Sequence, residues 1–151
     1  MTELLLRSLQ ATCALGRRLG ELLQPFDYVA LTGDLGAGKT VLVKAVAQGA
    51  GAPEANSPTF SIVNLYRGRI LLQHLDLYRL EGPAELFALG FDDLLREEAA
   101  TLCEWADKAA GALPPDRLEV TLRHAGRRSR NVRLAATGTR SAFLLRELTS
   151  P

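Results

Sequence analysis

The segment Gly33-Asp34-Leu35-Gly36-Ala37-Gly38-Lys39-Thr40 has the spacing GxxxxGK[ST], and the apolar run Tyr28, Val29, Ala30, Leu31 stands just before it. A glycine-rich turn that leaves a strand and opens a helix leaves little choice of fold, because strand, turn and helix must stack as one α/β unit. The glycines let the backbone wrap tightly with its N–H groups pointing inward, and the helix that follows offers the positive end of its dipole. Such a loop cradles phosphate. Lys39 is then expected at the β- and γ-phosphates of a nucleoside triphosphate, and the Thr40 hydroxyl at its magnesium ion.

At 151 residues, 47% of them hydrophobic, the chain can bury one substantial core and is too short for two ordinary domains, so a single domain over 1–151 is expected. The formal charge of +1 argues against a dedicated nucleic-acid binder and makes any RNA contact indirect or shared. Cys13 and Cys103 lack metal-ligand spacing, which fits a reduced cytoplasm. The N-terminal apolar run is only Leu4, Leu5, Leu6, and nothing approaches the roughly 18 apolar residues of a membrane span. A soluble protein without a membrane partner is expected.

Along the chain, a short strand around Glu3 to Arg7 precedes Ser8 and a helix carrying Leu15, Leu19, Leu22 and Leu23 that ends before Pro25, with Gly16 and Gly20 placed for close approach. The helix opened by Lys39 carries Leu42, Val46 and Ala50 on one stripe and stops at Gly49, Gly51 and Pro53. Apolar runs at 60–66 and 70–77, split by Arg67-Gly68-Arg69, read as a hairpin. Pro83 begins a helix that breaks at Gly90 and resumes through Asp92 to Glu98, and Thr101, Leu102 and Cys103 form an internal strand. Alternation at Leu118, Val120, Leu122 and at Val132, Leu134, Ala136, around a turn at 125–130, predicts an antiparallel hairpin with one wet face. Phe143, Leu144 and Leu148 suggest a closing helix.

In open α/β sheets a ligand sits beyond the carboxyl ends of the strands, so acids at strand ends are the ones to inspect. Asp76 ends one run, on the same face as Leu72 and His74, and Glu104 ends another. Magnesium takes hard oxygen ligands and keeps several waters, so Thr40, Asp76 and Glu104 could complete its shell, with Asp76 either on the metal or orienting water. His74 reads more readily as a core or hairpin residue than a catalytic one. Ser57-Pro58-Thr59-Phe60 is either a γ-phosphate-sensing switch loop, through Ser57 and Thr59, or a plain turn. Trp105 either fills a core gap or marks a docking surface. The arginines from Arg117 onward read mostly as a solvated face, with Arg127 at the turn available to lie against a purine.

Taken together these motifs resemble the TsaE (YjeE) family, the ATPase component of bacterial tRNA threonylcarbamoyladenosine biosynthesis. The resemblance rests on Gly33 to Thr40, Ser57 to Phe60, the segment His74-Leu75-Asp76-Leu77-Tyr78-Arg79, Glu85-Leu86, Leu89-Gly90 and Glu104-Trp105, and covers nearly the whole chain. It implies a three-layer P-loop NTPase fold, α/β, with a mixed central sheet flanked by helices and a C-terminal antiparallel hairpin. It also implies slow, magnesium-dependent ATP hydrolysis in support of TsaB- and TsaD-type partners that modify the adenosine beside the tRNA anticodon. By the same resemblance Gly36 to Val41 meet phosphates, Thr40 and Glu104 hold Mg2+, Asp76 serves hydrolysis, and Ser57 and Thr59 form the switch loop. Adenine contacts come from Leu9 to Thr12 and from the late turn. The chain departs from the family pattern in Val41, where a second threonine is common, and in Ala106-Asp107 after Trp105.

A small-molecule kinase would share the P-loop but needs an acceptor pocket and usually an arginine-bearing lid, of which the sequence has no clear insertion. A GTPase would carry NKxD, which is absent. A non-catalytic ATP-dependent binding module would differ only in whether hydrolysis matters.

Overall fold

The computed structural model describes residues 1–34, 36–52, 63–81, 83–88, 90–95, 97–109 and 111–150. Leu35, Ser57, Thr59, Leu89 and residues 60–62 of the expected hairpin lie outside them. Among the described residues seven strands form one sheet: β1 (Thr2–Leu6), β2 (Tyr28–Gly33), β3 (Val63–Arg67), β4 (Leu71–Asp76), β5 (Ala100–Glu104), β6 (Leu118–His124) and β7 (Arg130–Ala136). Their order is β1-β7-β6-β2-β5-β4-β3. The four central strands, β6, β2, β5 and β4, run parallel, and each flank is an antiparallel pairing. The helices are α1 (Leu9–Leu22), α2 (Lys39–Gly49), α3 (Pro83–Ala88), α4 (Phe91–Leu95) and α5 (Thr139–Thr149), with a short 3-10 helix at Ala106–Ala109.

Strand alternation sorts the core into two layers. Val29, Leu31, Leu72, Leu102, Val120 and Leu122 face α1, α2 and α5, meeting Leu19, Leu42, Val46 and Leu144 there. Tyr28, Ala30, Leu75 and Cys103 face the other way, against Leu86, Phe91, Ala106 and Ala109. The expected mixed, helix-flanked sheet is therefore present, and among the described residues the second helical layer rests on β2, β5, β4 and, through Val63, the start of β3. Beyond it Glu119, Thr121 and Arg123 form the predicted polar face.

The ends of α1 explain its position. Ser8 is extended and its Oγ accepts the Ala11 amide at 3.1 Å, a cap whose removal typically costs ~1 kcal/mol. At the other end the Arg69 guanidinium, from the β3–β4 turn, donates to the carbonyls of Gly20, Glu21 and Leu23 at 2.9, 3.1 and 2.7 Å. Gly20 lets α1 press on α2: a Cβ there would lie 2.0 Å from the Val46 carbonyl. At α5, Asp116 accepts the amides of Arg140 and Ser141 at 2.9 and 3.0 Å, and Arg140 pairs with both oxygens of Asp27.

Several boundaries differ from the sequence expectation. The helix after Gly90 ends at Leu95 rather than Glu98, because the Ala99 carbonyl already accepts the Phe26 amide at 2.8 Å and β5 starts at Ala100. β2 runs two residues further, to Gly33, since its ladder with β6 extends through Thr32 and Gly33. The late turn is tighter than 125–130, as β6 reaches His124 and β7 starts at Arg130.

Candidate functional site

β2 ends in the glycine-rich loop because no other residue fits there. Gly33 has φ +139° and its missing Cβ would stand 2.1 Å from the Leu122 carbonyl, while Gly38 has φ +100° and begins α2. Among the described residues no side chain caps α2 and its first turn carries no acid, so its leading amides and the positive end of its dipole remain open to an anion. Asp34 and Ala37 set the loop's shape. The Asp34 amide donates to Leu122 O, its carbonyl accepts the Ala37 amide, and the Ala37 methyl is fully buried.

A cavity of about 380 Å3 opens on one side of this loop. Lys39, Thr40, Asp76 and Glu104 all line it, joined by Tyr78 and Trp105. Parallel pairing brings the two acids together, since Asp76 and Glu104 stand opposite each other at the ends of β4 and β5 and Glu104 is also in register with Leu31 of β2. Lys39 is only 6% exposed; its Nζ donates to the Gly33 carbonyl at 3.1 Å and lies 3.8 Å from the centroid of the Trp105 ring. Trp105 packs against the second core and at the same time borders the site: its ring lies on the P-loop lysine and on Tyr78, at 5.1 Å between centroids, from a backbone with φ 58°. Lys108 holds the two strand ends together by donating to the carbonyls of Tyr78 and Leu80. Asp76 Oδ1 accepts the Tyr78 amide at 3.1 Å.

On the other side of the loop lies a larger cavity of about 670 Å3. Ser8, Leu9 and Thr12 of the α1 entry form one wall, Arg127, Arg128 and Arg130 of the β6–β7 turn another, and Gly36, Gly38 and Val41 are shared with the first cavity. The structure thus brings Thr12 and Arg127 to a single space bordering the P-loop. Arg130 ties that wall to the loop, donating from Nε to Ala37 O at 3.0 Å and from one terminal nitrogen to Ser129 O and Gly126 O.

Among the described residues no group of three His, Cys, Asp or Glu side chains gathers to hold a metal alone. The hydroxyl and two carboxylates at the first cavity are a hard-oxygen set that suits magnesium once phosphate oxygens are added. On the sheet face opposite Glu104, burial pushes the neighbouring Cys103 thiol from 9.0 up to about 12 and raises Tyr28 as well.

Sequence reasoning gave no place at the site to Arg130, Tyr78 or Lys108, and favoured a core or hairpin reading for His74. His74 is buried as expected, yet its Nε2 lies 2.6 Å from Glu104 Oε2, so it belongs to the site as well as to the core. Its place two residues before Asp76 on the same strand face was the available signal.

The sequence profile described as "Threonylcarbamoyl adenosine biosynthesis protein TsaE" matches residues 6–132. The chain is 37% identical over 141 residues to the tRNA threonylcarbamoyladenosine biosynthesis protein TsaE of Bacillus subtilis, covering 92% of this chain and 88% of that one. The protein of the same description from Treponema pallidum is 37% identical over 118 residues, 78% of this chain and 87% of its own. The crystal structure of YdiB from Bacillus subtilis superposes with a TM-score of 0.83 at 31% identity, covering 98% of this chain and 93% of that one.

Proposed function

The chain belongs to the TsaE family, and we propose that it is a single-domain Mg2+-ATP-binding ATPase, slow when alone, that serves threonylcarbamoyl modification of the adenosine beside the tRNA anticodon. One observation carries this reading: the P-loop lysine and threonine share a cavity with two carboxylates held in register on adjacent parallel strands. Within Gly36 to Val41 the amides of Gly36 and of Gly38 to Val41, with the Lys39 ammonium, bind the phosphates while the Ala37 amide closes the loop on Asp34, and Lys39 exchanges the Gly33 carbonyl and the Trp105 face for β- and γ-phosphate oxygens. Thr40, Glu104 and Asp76 are the oxygens available to Mg2+, which would draw charge from the terminal phosphates. Asp76 also reaches the attacking water. Thr12 and Arg127 bound the space for the adenine, with Arg127 against its ring. Ser57 and Thr59 contribute the loop that senses the terminal phosphate.

The slow rate follows from where the arginines stand. Among the described residues those lining either cavity, Arg127, Arg128 and Arg130, are all on the larger, hairpin side, away from the acids. An arginine at the transferred phosphoryl group can be worth 10³ to 10⁵ in turnover, and TsaB- and TsaD-type partners would activate by completing the site. The protein works in the cytoplasm, with tRNA met through those partners; no helix among the described residues is long and apolar enough to cross a membrane.

Calorimetry and phosphate release test this. Lys39→Ala is expected to abolish ATP binding, whereas Asp76→Ala keeps binding and loses turnover. Rapid hydrolysis by the isolated protein, unchanged on adding the transferase partners, would overturn the proposal.

A further inference from the structure

Glu104 is held from within the sheet by an imidazole. His74 and Glu104 side chains are 4% and 8% exposed, and His74 Nε2 stands 2.6 Å from Glu104 Oε2. A carboxylate oxygen accepts, so the hydrogen belongs on Nε2 and His74 donates. An imidazole with its hydrogen there can accept at Nδ1, and the buried Tyr66 hydroxyl lies 3.2 Å from that nitrogen. Three neighbouring strands therefore supply one line of contacts: Tyr66 from β3, His74 from β4 and Glu104 from β5, ending at the cavity that Thr40 and Lys39 also line.

A buried carboxylate needs a partner, and any partner would satisfy that need. The choice of oxygen says more. His74 takes Oε2, and among the described residues no hydrogen bond reaches Oε1. A glutamate left to itself would have to freeze its side-chain torsions each time it met a cation, whereas one already pinned has lost that freedom on folding. We propose that His74 is a positioning residue, fixing Glu104 so that its second oxygen is presented to the cation beside Thr40. This rests on the reading of Glu104 as a ligand to Mg2+. His74 itself touches neither nucleotide nor ion.

The two amide side chains separate positioning from packing. Gln at this position carries a donor near the place of Nε2, while Asn carries one near the place of Nδ1 and is too short to reach Glu104. His74→Gln and His74→Asn are titrated with the β,γ-imido analogue of ATP, once in EDTA and once in saturating Mg2+. All three proteins are expected to bind alike in EDTA, which also certifies the fold. Adding Mg2+ should tighten binding for the native protein and for His74→Gln, while His74→Asn loses roughly 10- to 100-fold of that gain. Equal Mg2+ gains in both variants would overturn the inference, as would a loss in EDTA as large as the loss in Mg2+. A native protein with no Mg2+ gain at all would bring down the ATPase reading first, and this inference with it.

Discussion

On the Lys39 side of the P-loop the acids stand at the ends of β4 and β5 and Lys39 and Thr40 at the start of α2, whereas on the Arg127 side the lining comes from a hairpin turn and the first turn of α1. Glu104 and Lys39 are each 6% exposed, while Arg127 and Arg128 stand in solvent. The first side gains its geometry from the sheet ladder, because Asp76 cannot leave Glu104 without breaking the pairing of β4 with β5. The second gains it from a few side-chain bonds, chiefly those of Arg130. Under the proposed function, chemistry that depends on sub-ångström placement of charge falls on the first kind of support and recognition of a planar base on the second, which tolerates it.

This contrast can be broken by substitution. The largest effect is expected from Gly33→Ala, where positive φ and a backbone carbonyl 2.1 Å from the new Cβ act together. It should cost about 3 kcal/mol or more in urea unfolding. A midpoint equal to that of the native protein would mean the loop is not welded to the sheet. Arg130→Ala should leave the unfolding midpoint nearly unchanged and weaken ATP binding roughly tenfold, the worth of a charged hydrogen bond, as read by calorimetry. If it destabilised the protein as much as Gly33→Ala, the two sides would be equally rigid and the distinction would fall.

The smallest effect concerns the floor of the rigid side. Burial pushes the Cys103 thiol up to about 12 in the folded protein against 9.0 ordinarily, so well below pH 9 its ionisation has no influence on stability. As pH rises from 9 toward 12 the unfolded thiol loses its proton first and the native state loses stability. Cys103→Ala should flatten that part of the pH profile of unfolding, leaving the contribution of the similarly raised Tyr28. An unaltered slope would show that the thiol is not sealed in the core beside Tyr28.

What could be read in the chain alone follows the same divide. The P-loop, its strand and its helix are contiguous, and strand alternation together with the strand-end rule was enough to single out Asp76 and Glu104. The His74–Glu104 contact joins residues 30 apart and exists only because β4 and β5 pair in one particular register, which no local pattern encodes. Arg130 lies 93 residues from its acceptor, and Arg69 reaches three carbonyls from across the helix pair. The fold class and the helix periods were legible because burial repeats along the chain. The helix after Gly90 was overextended because the competing bond from Phe26 to Ala99 is tertiary.

The bond from Arg130 to Ala37 has one more consequence. A trans peptide is a rigid plate whose oxygen and following hydrogen point in opposite directions, and no cis peptide occurs among the described residues. Anchoring the Ala37 oxygen to the guanidinium therefore orients the Gly38 amide hydrogen the other way, and a flip of that plate would have to break the charged bond first. The polarity this plate shows to an incoming anion is governed by an arginine from the far end of the sequence.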